Sequence, residues 1–278
     1  MALVLTTAAL GLLVGSFLNV VILRLPRMME SSWKTECREL LQLPAVEEPR
    51  ISLASPPSCC PSCGSRIKPW HNVPVLSWLL LRGRCDKCGT AISVQYPLVE
   101  AFSGLAAAIC AVHFGWSPQL LPALIFSWAL IALTVIDLRT MLLPDDITQP
   151  LLWAGLLLAL VPMFADLRDA VVGAAAGYLS LWSIFHLFKL ITGKDGMGYG
   201  DFKLFAAFGA WLGWQALPMI ILLSSVVGAT IGIGLIAARR LGKEVPIPFG
   251  PYLAGAGWIA MLWGDELKLV YFSATGIH

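Results

Sequence analysis

Apolar residues run through this chain in long blocks, not at amphipathic spacing. The first block extends from about Ala2 to Leu23, a polar stretch follows, and beyond about Tyr96 the sequence is apolar almost without interruption. Polar residues and Pro/Gly marks divide the second part into runs at 97–116, 119–137, 147–164, 170–191, 202–216, 218–238 and 248–264. About 20 apolar residues cross a bilayer as a helix, which satisfies every backbone N–H and C=O within its own segment. The pattern predicts an all-α polytopic membrane protein of about eight transmembrane helices. The run at 202–216 is short and glycine-bearing, so its bounds are the least sharply marked. The expected organisation is a first transmembrane helix at 1–23, a loop domain at 24–95 and a seven-helix membrane domain at 96–278.

Composition removes a soluble reading. The 278 residues are 58% hydrophobic and 13% charged, with mean hydropathy +0.77, where a soluble domain is about 25% charged. The first block resembles a signal peptide only superficially. No Lys or Arg precedes Arg24, and basic residues follow the block as they follow a stop-transfer segment. It is read as a retained helix with its N-terminus outside.

Charge then fixes the expected threading. From an external N-terminus, the loop 24–95 falls inside and carries Arg24, Arg27, Lys34, Arg38, Arg50, Arg66, Lys68, Arg82, Arg84 and Lys87. The connections at 138–146, 192–201 and 239–247 also fall inside and hold Arg139, Lys194, Arg239, Arg240 and Lys243. Outside loops hold Arg168 and, in the tail, Lys268. Each turn obeys the positive-inside rule. The basic residues follow membrane topology and form no dedicated stripe, so no nucleic-acid partner is expected; net charge, +2, adds nothing to this.

The inner loop contains Cys60-Pro-Ser-Cys63 and Cys85-Asp-Lys-Cys88, each followed by glycine (Gly64, Gly89). Two such knuckles supply four thiolates for tetrahedral Zn2+, as in zinc ribbons, and a site closed by four cysteines is structural. Two disulfides or unpaired thiols are the alternatives, and a cytoplasmic loop disfavours the disulfides. Cys59 is read as a spectator, Cys37 as unpartnered in sequence, Cys110 as a packing residue in a span, and His71 as lying outside the metal site. The stretch 28–57 shows no pattern and is read as an irregular insertion.

Two aspartates change the picture most. Asp137 ends the run 119–137, and Asp201 ends the stretch GKDGMGYGD and opens the next run. The threading brings both to the inner face. An aspartate in hydrocarbon costs roughly 2.5–3.5 kcal/mol at a helix centre, and two carboxyls facing one another share a single proton, the arrangement of an aspartic protease. The plainer readings are an ion pair of Asp137 with Arg139 and a helix-capping turn at Asp201. Asp145 and Asp146 are read as N-caps of the following helix, and Lys203 as pairing with a carboxylate or snorkelling to head groups. The alternating Gly196, Gly198 and Gly200 permit close approach of another backbone. No phosphate-loop lysine follows and no strand precedes them, so a dinucleotide fingerprint is unsupported.

GMGYGD at 196–201, Asp137 with Leu143-Pro144-Asp145, GSFLNVVILRLP at 15–26, and PVLSWLLLRGRC at 74–85 running on to QYPLVE at 95–100 together resemble the bacterial type IV prepilin peptidases. The resemblance runs nearly end to end, and the four-cysteine loop separates this family from other intramembrane proteases with a GxGD element. It implies two activities. One is aspartyl-type cleavage, after glycine, of the basic leader of type IV prepilins and type II secretion pseudopilins. The other is N-methylation of the exposed residue, usually Phe, from S-adenosylmethionine. It further implies Asp137 and Asp201 as the catalytic pair and Cys60, Cys63, Cys85 and Cys88 as metal ligands. Candidate methyl-donor contacts in the resembling stretches are Asn72, Gly83 and Glu100, with Asn19 beside them. The expected setting is the bacterial inner membrane, with the N-terminus periplasmic, the active site facing the cytoplasm and membrane lipid as surroundings.

Two rivals have different chemistry. A carboxylate-coupled transporter places its acids near the midplane, often in repeated halves; here both lie at one interface and no repeat is visible. A zinc-ribbon scaffold without catalysis explains the cysteines but leaves Asp201 without purpose.

Overall fold

The computed structural model describes residues 1–44, 51–238 and 247–275. Arg50, Arg239, Arg240 and Lys243 of the threading argument lie outside the described residues, as does the side chain of Lys268. The described chain is helical, with isolated bridges Cys59–Arg66 and Arg84–Ala91 as its only extended pairing. It divides into two compact units, Met1–Trp116 and Ser117–His278.

The first unit contains α1 (Ala2–Leu40), α2 (Leu76–Leu80) and α3 (Gln95–Phe114). Helix α1 does not stop at Leu23: it continues past Pro26 for 39 residues in all, so the irregular insertion expected at 28–57 begins as helix. The extension leaves no apolar trace because it is solvated; residues such as Glu30 and Lys34, paired one turn apart at 2.8 Å, support it instead. The buried residues of α1, among them Gly11, Gly15, Leu18, Asn19, Ile22 and Leu25, form one helical stripe. That stripe lies against α3, with Gly11 and Gly15 facing Ser103 and Glu100. Arg24 gathers the polar loop by donating to the carbonyls of Ser52 (2.9 Å) and Pro56 (2.6 Å).

The second unit contains α4 (Leu120–Thr140), α5 (Asp145–Leu158), α6 (Leu167–Thr192), α7 (Tyr199–Leu212), α8 (Leu217–Ala237) and α9 (Gly250–Thr275). Helix α7 is the centre. Asp201, Phe202 and every residue from Leu204 to Trp211 are buried, as expected of a helix apolar on all sides. Its Trp211 donates Nε1–H to the Leu151 carbonyl of α5 at 2.7 Å and packs against Phe126 of α4 with ring centres 4.8 Å apart and planes tilted by 49°. Gly209 meets the backbone of Gly173 on α6 so closely that neither position admits a side chain. Trp258 of α9 donates to Ser127 Oγ of α4 at 2.8 Å.

Among the described residues, five helical stretches are long and apolar enough to cross a membrane: α1, α3, α4, α6 and Trp214–Ala237, which contains α8. The runs expected at 147–164 and 202–216 fold as α5 and α7, of 14 residues each. Helix α9 outlasts its expected end at 264, with a backbone break at Trp263 (φ −126, ψ 21).

Candidate active site

In the second unit, Asp137 occupies the last turn of α4, 5% exposed. The helix closes on Met141 in the left-handed conformation, whose N–H returns to the Asp137 carbonyl at 2.9 Å. The turn continues through Leu143 and buried Pro144 into α5. From the far end of the unit, Gly250 opens α9 and donates its N–H to Asp137 Oδ2 at 3.0 Å. Asp201 stands in the first turn of α7, 6% exposed. Its Oδ2 accepts the N–H of Gly198 at 3.1 Å, so a capping function coexists with its burial. Its Oδ1 is buried and meets no hydrogen-bond donor among the described residues.

The two carboxyls stand in the last turn of α4 and the first turn of α7. Leu143 joins their neighbourhoods: a Cβ placed on Gly200 would lie 2.6 Å from Leu143 Cβ, and one placed on Gly250 would lie 3.1 Å from Leu143 Cδ2 and 2.6 Å from Asp137 Oδ2. The structure thus brings together on α4 and α7 the two aspartates that the sequence singled out. It also supplies a role that sequence reasoning missed: Gly250 positions Asp137 through a backbone amide, and the only signal was the Pro/Gly cluster IPFGPY. Asp145 and Asp146 are not N-caps. Pro144 holds that position, with both acids inside the first turn of α5, where the helix dipole favours them. Asp145 instead receives Lys203 Nζ on both oxygens, at 2.7 and 2.6 Å.

In the first unit, the Sγ atoms of Cys60, Cys63, Cys85 and Cys88 lie within 4.8 Å of one another. Both knuckles use one local fold. Gly64 and Gly89, at φ +66 and +71, donate to the carbonyls of Cys60 and Cys85, each at 2.9 Å, a backbone that residues with a Cβ rarely adopt. Hydrogen bonds from the Ser65 hydroxyl and amide hold the Cys63 thiol down to about 6. Backbone bonds from Cys88 and Lys87 hold Cys85 below the ordinary thiol range. Four sulfurs at this spacing fit a tetrahedral zinc, whose Zn–S distance is about 2.3 Å. Cys59 and Cys37 are exposed and Cys110 is buried.

The candidate methyl-donor residues lie in the first unit and differ in what they touch. Glu100 is buried and accepts the Val75 N–H at 2.7 Å. Val75 has φ +59, costly for a β-branched residue, so the carboxylate anchors a strained turn. Asn72 ends the 3-10 turn Pro69–Asn72 and is exposed. Gly83, at φ +65, faces the Trp78 ring. Asn19 donates to the Tyr96 carbonyl at 3.1 Å, and its Oδ1 is buried without a donor among the described residues.

Compared with known proteins, residues 9–114 match the bacterial peptidase A24 N-terminal domain and residues 124–233 match the type IV leader peptidase family. A prepilin leader peptidase/N-methyltransferase of Pseudomonas aeruginosa is 53% identical over 277 residues, covering 99% of this chain and 96% of that protein. One of Aeromonas hydrophila is 56% identical, covering 95% of this chain and 91% of its own. One of Xanthomonas campestris pv. campestris is 47% identical, covering 98% and 95%. No solved structure matches.

Proposed function

The chain belongs to the type IV leader peptidase family, and from that premise we propose how its residues divide the work. It is an enzyme of two activities, prepilin leader peptidase and N-methyltransferase. Asp137 and Asp201 are the catalytic pair of the first. The observation that carries this reading is that both acids are buried on neighbouring helix ends of one unit, each held by a single backbone amide. That leaves carboxylate oxygens for water and substrate. One aspartate, ionised, takes a proton from the attacking water as the other, protonated, donates to the scissile carbonyl oxygen. The roles exchange as the intermediate collapses.

Cys60, Cys63, Cys85 and Cys88 hold a structural zinc that clips the polar loop together. Methyl transfer uses S-adenosylmethionine, and its site is shaped by Asn72, Gly83 and Glu100, the last through its hold on Val75. The attacking amine is neutral and in line with the sulfonium methyl, a positional demand that a pinned turn meets. Substrates are type IV prepilins and type II secretion pseudopilins. The chain sits in the bacterial inner membrane with its N-terminus periplasmic and both aspartates at the cytoplasmic face, where the basic leader of a prepilin meets its apolar helix.

Asp137→Asn and Asp201→Asn each abolish cleavage of a prepilin by detergent-solubilised protein while the variants still insert in the membrane. Retained cleavage in either variant removes the assignment. Mass spectrometry of a pilin N-terminus, with and without this protein, reads both reactions together.

A further inference from the structure

The turn between α4 and α5 is fastened at both ends beside the proposed aspartates. At its start Met141, a non-glycine residue at φ 54, folds the chain back against Asp137. At its finish the Asp145 carboxylate takes Lys203 Nζ on both oxygens, at 2.7 and 2.6 Å, and Lys203 follows Asp201 by two positions on α7. Between these points Leu143 presses on two glycines. A Cβ on Gly200, next to Asp201, would meet Leu143 Cβ at 2.6 Å and Cδ1 at 3.4 Å. A Cβ on Gly250, the amide donor to Asp137, would meet Leu143 Cδ2 at 3.1 Å. One leucine therefore packs beside the residue that precedes one carboxyl and the residue that orients the other: a side chain at Gly200 would clash with it, and one at Gly250 would crowd it.

We propose that Leu143 is a positioning residue for peptide cleavage: wedged between Gly200 and Gly250 and kept there by the Asp145–Lys203 ion pair, it sets the separation of the Asp137 and Asp201 carboxyls. The proposal rests on the reading of those aspartates as the catalytic pair. Water and peptide must fit between two acids at fixed spacing, and a misplacement of about 1 Å in such a site costs about 100-fold in rate. Leu143 touches no reacting atom. Its effect belongs to kcat, because substrate binding over the rest of the prepilin does not depend on the gap.

The test uses the full-length enzyme in detergent with a synthetic prepilin. Leu143→Ala lowers kcat for cleavage by about 10- to 100-fold with KM unchanged within about twofold. Leu143→Met, of similar volume, keeps kcat within about threefold. Asp145→Asn and Lys203→Met each lower kcat, and the exchange of Asp145→Lys with Lys203→Asp recovers most of the loss. N-methylation of a pre-processed peptide with N-terminal Phe stays at wild-type rate in all of these, reporting a folded enzyme. Wild-type kcat in Leu143→Ala overturns the proposal. So does a parallel fall of cleavage and methylation, which marks a packing role. The aspartates are judged separately: cleavage surviving in Asp137→Asn or Asp201→Asn sinks the underlying reading whatever Leu143 does. Inactive aspartate variants alongside an unaffected Leu143→Ala sink the spacer alone.

Discussion

Gly250 contributes to the site without a side chain. Its amide fixes Asp137 Oδ2 at 3.0 Å, and its bare Cα lets the carboxyl approach. Gly250→Ala puts a methyl where 2.6 Å separates it from that oxygen. Backbone at the start of α9 cannot yield as a flexible side chain can, so Asp137 must turn away. The expected outcome is a fall in kcat for cleavage of at least about 30-fold, or about 2 kcal/mol of barrier, with the variant still folded by circular dichroism. A near-normal rate would mean that the carboxyl has another place to go. Val75 shows the reverse economy. Its left-handed backbone is strained, and Glu100 keeps it so. The Glu100 carboxylate is thereby engaged with protein, and its influence on methyl transfer passes through the turn it secures.

At the level of elements, what the sequence made legible follows from what leaves a trace in hydropathy. Helices α3, α4, α6 and α8 announce themselves as apolar runs. The polar half of α1 does not, since a solvated helix needs no apolar run. Helix α7 reads as short and ambiguous for a physical reason: it is wrapped by its own chain, so lipid thickness does not set its length. Asp137 and Asp201 were legible because acids at the edge of apolar runs are costly and few. The links around them were not. Gly250 acts through a backbone amide, Lys203 reaches Asp145 from 58 positions away, and Leu143 looks like any apolar residue. The paired knuckles were legible by spacing alone, and the described geometry adds matching turns at Gly64 and Gly89. Both knuckles close one loop, so Cys60→Ser or prolonged chelation removes about one zinc per chain by elemental analysis and lowers Tm by about 5 °C or more. Unchanged metal content in Cys60→Ser would place the metal elsewhere.

Over the whole molecule, the residues proposed for cleavage all come from Ser117–His278, and those proposed for the methyl donor all come from Met1–Trp116. The family matches, 9–114 and 124–233, fall either side of the same boundary. Chemistry divided in this way is separable by substitution. Asp201→Asn, inert towards prepilin, is expected to methylate a pre-processed Phe-peptide at wild-type rate. Loss of both reactions in that variant would show that the acid serves each.

The 14 residues of α7 have one more consequence. At 1.5 Å per residue they rise about 21 Å, against a hydrocarbon layer of about 30 Å. Enclosed by its own chain, a pillar cut that short owes the missing length to the helices packed around it and not to lipid. Cleavage is therefore expected to run at one rate in bilayers of different thickness.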